Sequence, residues 1–141
     1  IGLDKQGHAV GFAFMNSVLR DMGRYAMSYT PSSSKFGKGI IVPEAVIRKF
    51  QTGLRPEMYS KGAMGAPIQK EFYTLPGLAN RYQWDIVTPD GDFFKAGVGG
   101  QGLWISPSHD AVMVFFSTGT QEDETLGAWV GRHITQRFPM I

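Results

Sequence analysis

From residue 82 to the end, short apolar runs alternate with tight-turn signals, and no other feature of the 141 residues restricts the fold as strongly. Tyr82, Trp84 and Ile86 alternate with Gln83 and Asp85, the period of a half-buried strand. Pro89-Asp90-Gly91 is a turn signal, because proline presets one backbone dihedral and glycine accepts a positive one. A second strand is predicted over residues 92–96 and a third over residues 102–106, with Gly97-Val98-Gly99-Gly100-Gln101 between them. Pro107-Ser108-His109-Asp110 marks the next turn. Residues 111–117 are apolar on both faces, which predicts a central strand covered on both sides. A helix is predicted over residues 122–138, with Leu126, Trp129, Val130, Ile134 and Phe138 facing the sheet. Glu122, Asp123 and Glu124 at its start and Arg132, His133 and Arg137 near its end match the helix dipole. The expected fold class is α+β: an antiparallel meander of three to four strands, a C-terminal amphipathic helix packed on it, and two helices before it.

Those two helices are read from residues 17–29 and 43–52. In the first, Val18, Leu19, Met22, Tyr25, Ala26 and Tyr29 share one face, opposite Arg20, Asp21 and Arg24. Asn16 or Ser17 is placed to cap it. In the second, Pro43 takes the first helical position, Glu44 the positive dipole end, and Gly53 the left-handed position past the end. Residues 30–39 read as a polar loop. Between Gly53 and Asn80, six prolines and glycines (Pro56, Gly62, Gly65, Pro67, Pro76 and Gly77) interrupt every candidate element. So long an irregular stretch is uncommon in a compact domain unless it is functional or packs on something else. The chain is therefore expected to be a single unit, with a helical part (1–53), an irregular loop (54–80), and a sheet with its terminal helix (81–141).

Composition removes several function classes. Hydrophobic residues at 43% and charged residues at 18% separate the chain from disordered sequences. The lack of cysteine excludes disulfides, thiolate metal sites and a cysteine nucleophile. A net charge of +2, with lysine and arginine scattered, gives no nucleic-acid footprint. The longest apolar run, residues 111–116, falls far short of the roughly 18 residues of a membrane span. No targeting signal is visible, and the start at Ile1 reads as truncated, leaving the compartment open between periplasm and cytoplasm. No spacing of His, Asp and Glu suggests a metal site, and no cofactor is implied.

The glycine cluster at residues 97–101 carries the candidate chemistry. Three glycines in four positions mean that something approaches the backbone closely. One reading is an edge strand whose N–H groups face a substrate, one of them donating to an oxyanion. The other is a bulge or a tight hairpin turn. Ser32-Ser33-Ser34-Lys35 matches the S-x-x-K nucleophile signature, but it lies in a serine-rich loop rather than at a helix start and reads as a chance match. Ser106, Ser108, His109 and Asp110 are too close in one turn to aim three side chains at one another in a relay. Gly99-Gly100-Gln101 also spells the tripeptide of peptide release factors, but an apolar strand follows at once and the surroundings are not basic.

The order of features resembles the C-terminal third to half of the class C β-lactamase and esterase-like serine hydrolases, relatives of penicillin-binding proteins. Residues 11–25 resemble the family's "t-x-R-D-l-a-R-f" helix, and the helix at 43–53 its "i-v-p-x-e-w-v" element. Tyr82-Gln83-Trp84 resembles its first C-terminal strand. Residues 94–114 are similar to the pattern "f-x-A-x-G-x-G-G-Q-x-i-x-v-x-P-x-x-d-x-V-v-V", a long and fairly specific match. The resemblance implies that Val98, Gly99, Gly100 and Gln101 border the active site and supply a backbone N–H to the oxyanion hole. Val98 stands where the family has Lys, His or Trp, so only backbone donation carries over. The family's S-x-x-K helix and Y-x-N-like motif lie upstream of the Arg20-Asp21 helix, and neither occurs in residues 1–16. The chain is thus expected to contribute to hydrolysis of a small-molecule or peptide acyl substrate (ester, amide or β-lactam) but to be inert alone. Its uncovered surfaces predict a homodimer or association with the missing N-terminal half. The alternative is a non-catalytic module that holds a peptide at the glycine-rich strand edge.

Overall fold

The computed structural model describes residues 3–8, 16–36, 42–118 and 123–141. Residues 11–15 of the family-like helix segment, 37–39 of the polar loop and Glu122 of the terminal helix lie outside the described residues. The side chains of Asp123 and Glu124 do so too.

The fold is α+β. Its centre is a five-stranded antiparallel sheet in the order β1-β2-β3-β4-β5, a meander in which every strand pairs with its sequence neighbour. The strands are β1 (Ala79–Arg81), β2 (Trp84–Val87), β3 (Phe93–Gly97), β4 (Gln101–Ser106) and β5 (Ala111–Phe115). β1 is one strand more than expected; at three residues it is too short to show a period. Its turn was also hidden. Tyr82 and Gln83, read above as strand, are the two central residues of the β1–β2 turn, with φ of 48° and 70°. Such turns favour Asn-Gly because both positions need positive φ, and here neither is glycine. The Thr88–Gly91 turn lies where Pro89-Asp90-Gly91 predicts it, with the Gly91 N–H donating to the Thr88 carbonyl at 3.0 Å and Gly91 at φ 92°.

Two helical layers sandwich the sheet. One face packs on α1 (Leu19–Met27) and α2 (Glu44–Gln51) around Ala26, Tyr29, Trp84, Phe93, Leu103 and Ile105. The other packs on α3 (Pro56–Tyr59), α4 (Gly65–Glu71) and α5 (Asp123–Thr135) around Tyr59, Phe72, Ile86, Phe94, Trp104 and Ala128. Alternation along β4 explains the division: Leu103 and Ile105 go one way and Trp104 the other.

Several expectations are corrected. The stretch from 54 to 80 holds α3 and α4, helices of four and seven residues whose two turns at most leave no legible period. The polar loop contains a 3-10 helix, Pro31–Phe36. The cap of α1 is Val18, with no side-chain bond, and Pro43 stands at the cap of α2 rather than inside it. Gly53 does adopt the left-handed conformation past α2, at φ 64°. Among the described residues β5 is an edge strand, not a central one: α1 and α5 cover its two faces, which accounts for its apolarity, but its one pairing partner there is β4.

The sharpest correction concerns α5. Its sheet-facing side is made of small residues, Gly127, Ala128, Gly131 and Thr135, and Leu126, Val130, Ile134 and Phe138 face outward. A β-carbon at Gly127 would collide with the Phe115 ring, and one at Gly131 would come within 2.7 Å of Trp104 Cβ. The bulk at this interface is supplied by the sheet, so the helix has to be slim. Trp129 alone keeps the expected role in part, stacking on Phe72 at 4.6 Å.

Candidate functional site

In a meander, alternate turns fall at the same end of the sheet. One end therefore gathers the Tyr82–Gln83 turn, the glycine loop and the C-terminus of β5. The other gathers the Thr88–Gly91 turn and the 3-10 turn Pro107–His109.

At the first end, Gly97 pairs with Gln101, and Val98, Gly99 and Gly100 form the loop between them. Gly99 and Gly100 have φ of 88° and 76°, which is what their lack of a β-carbon serves. The Ser117 hydroxyl donates to the Gly100 carbonyl at 2.5 Å and pins the loop to the end of β5. Val98 is 91% exposed. The four residues singled out from sequence are thus together, at the tip of a hairpin. They do not form a sheet edge, because β3 and β4 are both interior strands.

Beside this tip lies a cleft of about 610 Å³ between α1, α2 and the sheet. Tyr29, Phe50 and Trp84 form its aromatic floor: Tyr29 meets Trp84 edge-on at 5.4 Å, and Phe50 lies 6.0 Å from Trp84. Tyr25 and Tyr82, both about half exposed, stand at its mouth. Tyr25 and Tyr29 share a hydroxyl hydrogen bond of 2.8 Å. Burial, helped by that bond, pushes the Tyr29 phenol well above its ordinary range. A smaller cleft of about 100 Å³ shares Met22, Lys95 and Leu103 with the first and reaches Gly97 and Gln101. On α1 and its cap, Val18, Leu19 and Tyr25, expected to pack, are exposed.

Lys95 joins the two clefts. β2 carries one more residue than β1 between their paired positions (Ala79↔Val87 and Arg81↔Trp84). Such a bulge re-aims side chains. Asp85 turns toward β3, where its carboxylate accepts the Ala96 N–H at 2.8 Å and the Lys95 ammonium at 2.8 and 2.9 Å.

The second end is closed and polar. Asp92, 1% exposed, accepts the Ser106 hydroxyl at 2.5 Å, the Trp104 indole N–H at 3.2 Å and Arg132 at 3.5 Å. Burial raises the Asp92 pKa against those bonds. Asp90 is also raised by burial, but bonds from Arg132 and Thr88 bring it below its usual value. Ser106 also contacts His109 Nδ1 at 2.8 Å. The carboxylate sits on the serine instead of the histidine, and Ser106 is wholly buried, so this trio is no nucleophilic relay. Ser32 belongs here too: its hydroxyl and its N–H both donate to Asp110. β4 separates that turn from the glycine loop by six residues, roughly 17–20 Å at strand rise. The S-x-x-K match therefore cannot act at the glycine tip.

Among the described residues, no cluster of His, Asp and Glu could hold a metal ion. No helix there is long and apolar enough to cross a membrane. Sequence reasoning missed Tyr82, Gln83, Lys95 and Asp85. Pattern alone could not find them, since Tyr-Gln is not a turn signal and the bulge is set by pairing. Compared with protein-family models, curated protein sequences and solved structures, the chain matches none.

Proposed function

We propose that this chain is the C-terminal part of a β-lactamase-related serine hydrolase and supplies the oxyanion side of its active site. The observation that carries the reading is the position of the glycine tip, residues 97–101, at the end of a cleft and with the Val98 side chain turned to solvent. A serine hydroxyl from the part of the enzyme outside these residues attacks the substrate carbonyl, its proton passing to a neighbouring base. A backbone N–H at Val98 or Gln101 donates to the oxygen as it gains charge. Collapse expels the alcohol or amine, and water then hydrolyses the acyl-enzyme. The outward stripe of α5 and the uncharged edge of β5, unpaired among the described residues, are the surfaces a partner half, or a second copy, would cover. That same edge is also what a peptide-binding module would use for strand addition, since the glycine loop offers no edge.

A fluorophosphonate probe tests the reading. In a longer product of the same reading frame it should label a serine upstream of Ile1, and the 141-residue chain should neither label nor turn over a chromogenic β-lactam or short ester. Labelling at Ser32, or inhibitor-sensitive turnover by the chain alone, overturns it.

A further inference from the structure

Among the described residues, the Tyr82–Gln83 turn is the one place where two successive residues with side chains are held at positive φ. Asn-Gly would make the same turn without that strain. Strain of this kind persists where the side chains are needed for something other than the turn. Both side chains line the large cleft. The Arg81 guanidinium lies 5.1 Å from the Tyr82 ring centre and is itself held by the Gly53 carbonyl at 2.6 Å, which fixes the ring at the cleft mouth.

We propose that this cleft binds a small planar aromatic ring carrying a carboxylate or carbonyl group. The ring lies between Tyr25 and Tyr82 over the Trp84 floor, and its polar group points along the sheet to Lys95. Edge and face contacts from several aromatic side chains favour a flat ring over a puckered one of equal size. The charges select the sign. Lys95 has three ammonium protons, of which Asp85 takes two, leaving one for an acceptor. A cationic ligand would find one face of Tyr82 already beside Arg81, and the nearby carboxylates of Asp85 and Asp21 already paired with Lys95 and Arg24. The binding site stands on this geometry. Its identity as the pocket for the acyl group, whose carbonyl would then lie toward the glycine tip, rests on the proposed hydrolase function.

The test uses the 141-residue chain with phenylacetate, cyclohexylacetate and phenylacetamide, measured by ligand-observed NMR and equilibrium dialysis. Phenylacetate should bind at least about fivefold more tightly than either analogue. The double variant Tyr82→Asn, Gln83→Gly should raise the urea midpoint while weakening phenylacetate at least about tenfold. Equal binding of the three compounds, or no phenylacetate binding at tens of millimolar, overturns the proposal. So does a double variant that binds normally, or one whose urea midpoint falls, because the side chains would then serve the fold. Binding without an upstream labelled serine keeps the site and removes its acyl role. Labelling without binding keeps the hydrolase and removes this pocket.

Discussion

The two ends of the sheet are built on opposite terms. At the Asp92 end, carboxylates of Asp90, Asp92 and Asp110 accept bonds from Thr88, Ser106, Trp104, Arg132 and Ser32, tying β3, β4, α5 and the 3-10 helix together. At the glycine end, rings stand exposed, a turn is strained, and a loop projects. Arg81 Nε, the only buried side-chain polar atom without a hydrogen bond among the described residues, lies beside that strained turn. Polar satisfaction marks the end that holds the fold together, where Asp110 is the one described non-glycine residue at positive φ (48°); an unsatisfied Arg81 Nε and two successive positive-φ residues mark the end free to meet something else.

If that contrast is right, damage should be most severe at the closed end. Asp92→Ala leaves a buried hydroxyl, an indole N–H and part of a guanidinium without their acceptor. The expected loss is about 3–5 kcal/mol, read from urea denaturation. Asp92→Asn separates charge from geometry. Because burial raises the Asp92 pKa, the folded state holds this proton more firmly than the unfolded one does. The stability that brings is complete at low pH and is lost as pH rises through the folded pKa. The stability difference between Asp92→Asn and the parent should therefore move in the variant's favour from pH 4 to pH 7. Asp90 and Asp110, whose pKa values are lowered, contribute in the opposite sense and lose their stabilisation as pH falls below about 4.

Next in size is Ser32→Ala, which removes one of two bonds holding the 3-10 helix to Asp110. A cost of about 1–2 kcal/mol is expected. Ser32 and Asp110 lie 78 positions apart, and this distance is why the pairing was not legible. What could be read from sequence were features decided within a few residues: the three longer helices, Gly53, the Thr88–Gly91 turn and four of the strands. What could not be read was decided by partners. The small-residue face of α5 is set by Phe115 and Trp104 on the sheet, and the aim of Asp85 by a bulge in strand pairing. The edge position of β5 escaped for a related reason, since burial of a strand's faces says nothing about its hydrogen-bonding flank. The candidate site was half legible on the same grounds. Its glycine tip is local, whereas the cleft is assembled from α1, α2 and three strands.

The glycine loop separates conformation from contact at small cost. Gly99 has φ 88° but open space around it, so Gly99→Ala should cost only the backbone term, about 1 kcal/mol. Gly102, one strand position inward, would place a β-carbon 2.6 Å from Phe115 and 2.7 Å from Phe94, so Gly102→Ala should cost more, about 1–3 kcal/mol. Val98, which precedes Gly99 and is more exposed than either glycine, should be nearly silent: with its side chain in solvent, Val98→Ser should change stability by less than about 0.5 kcal/mol. A larger loss at Val98 would mean that its side chain is covered in solution. The glycine tip would then be part of an interface, and the open end of the sheet would be closed after all.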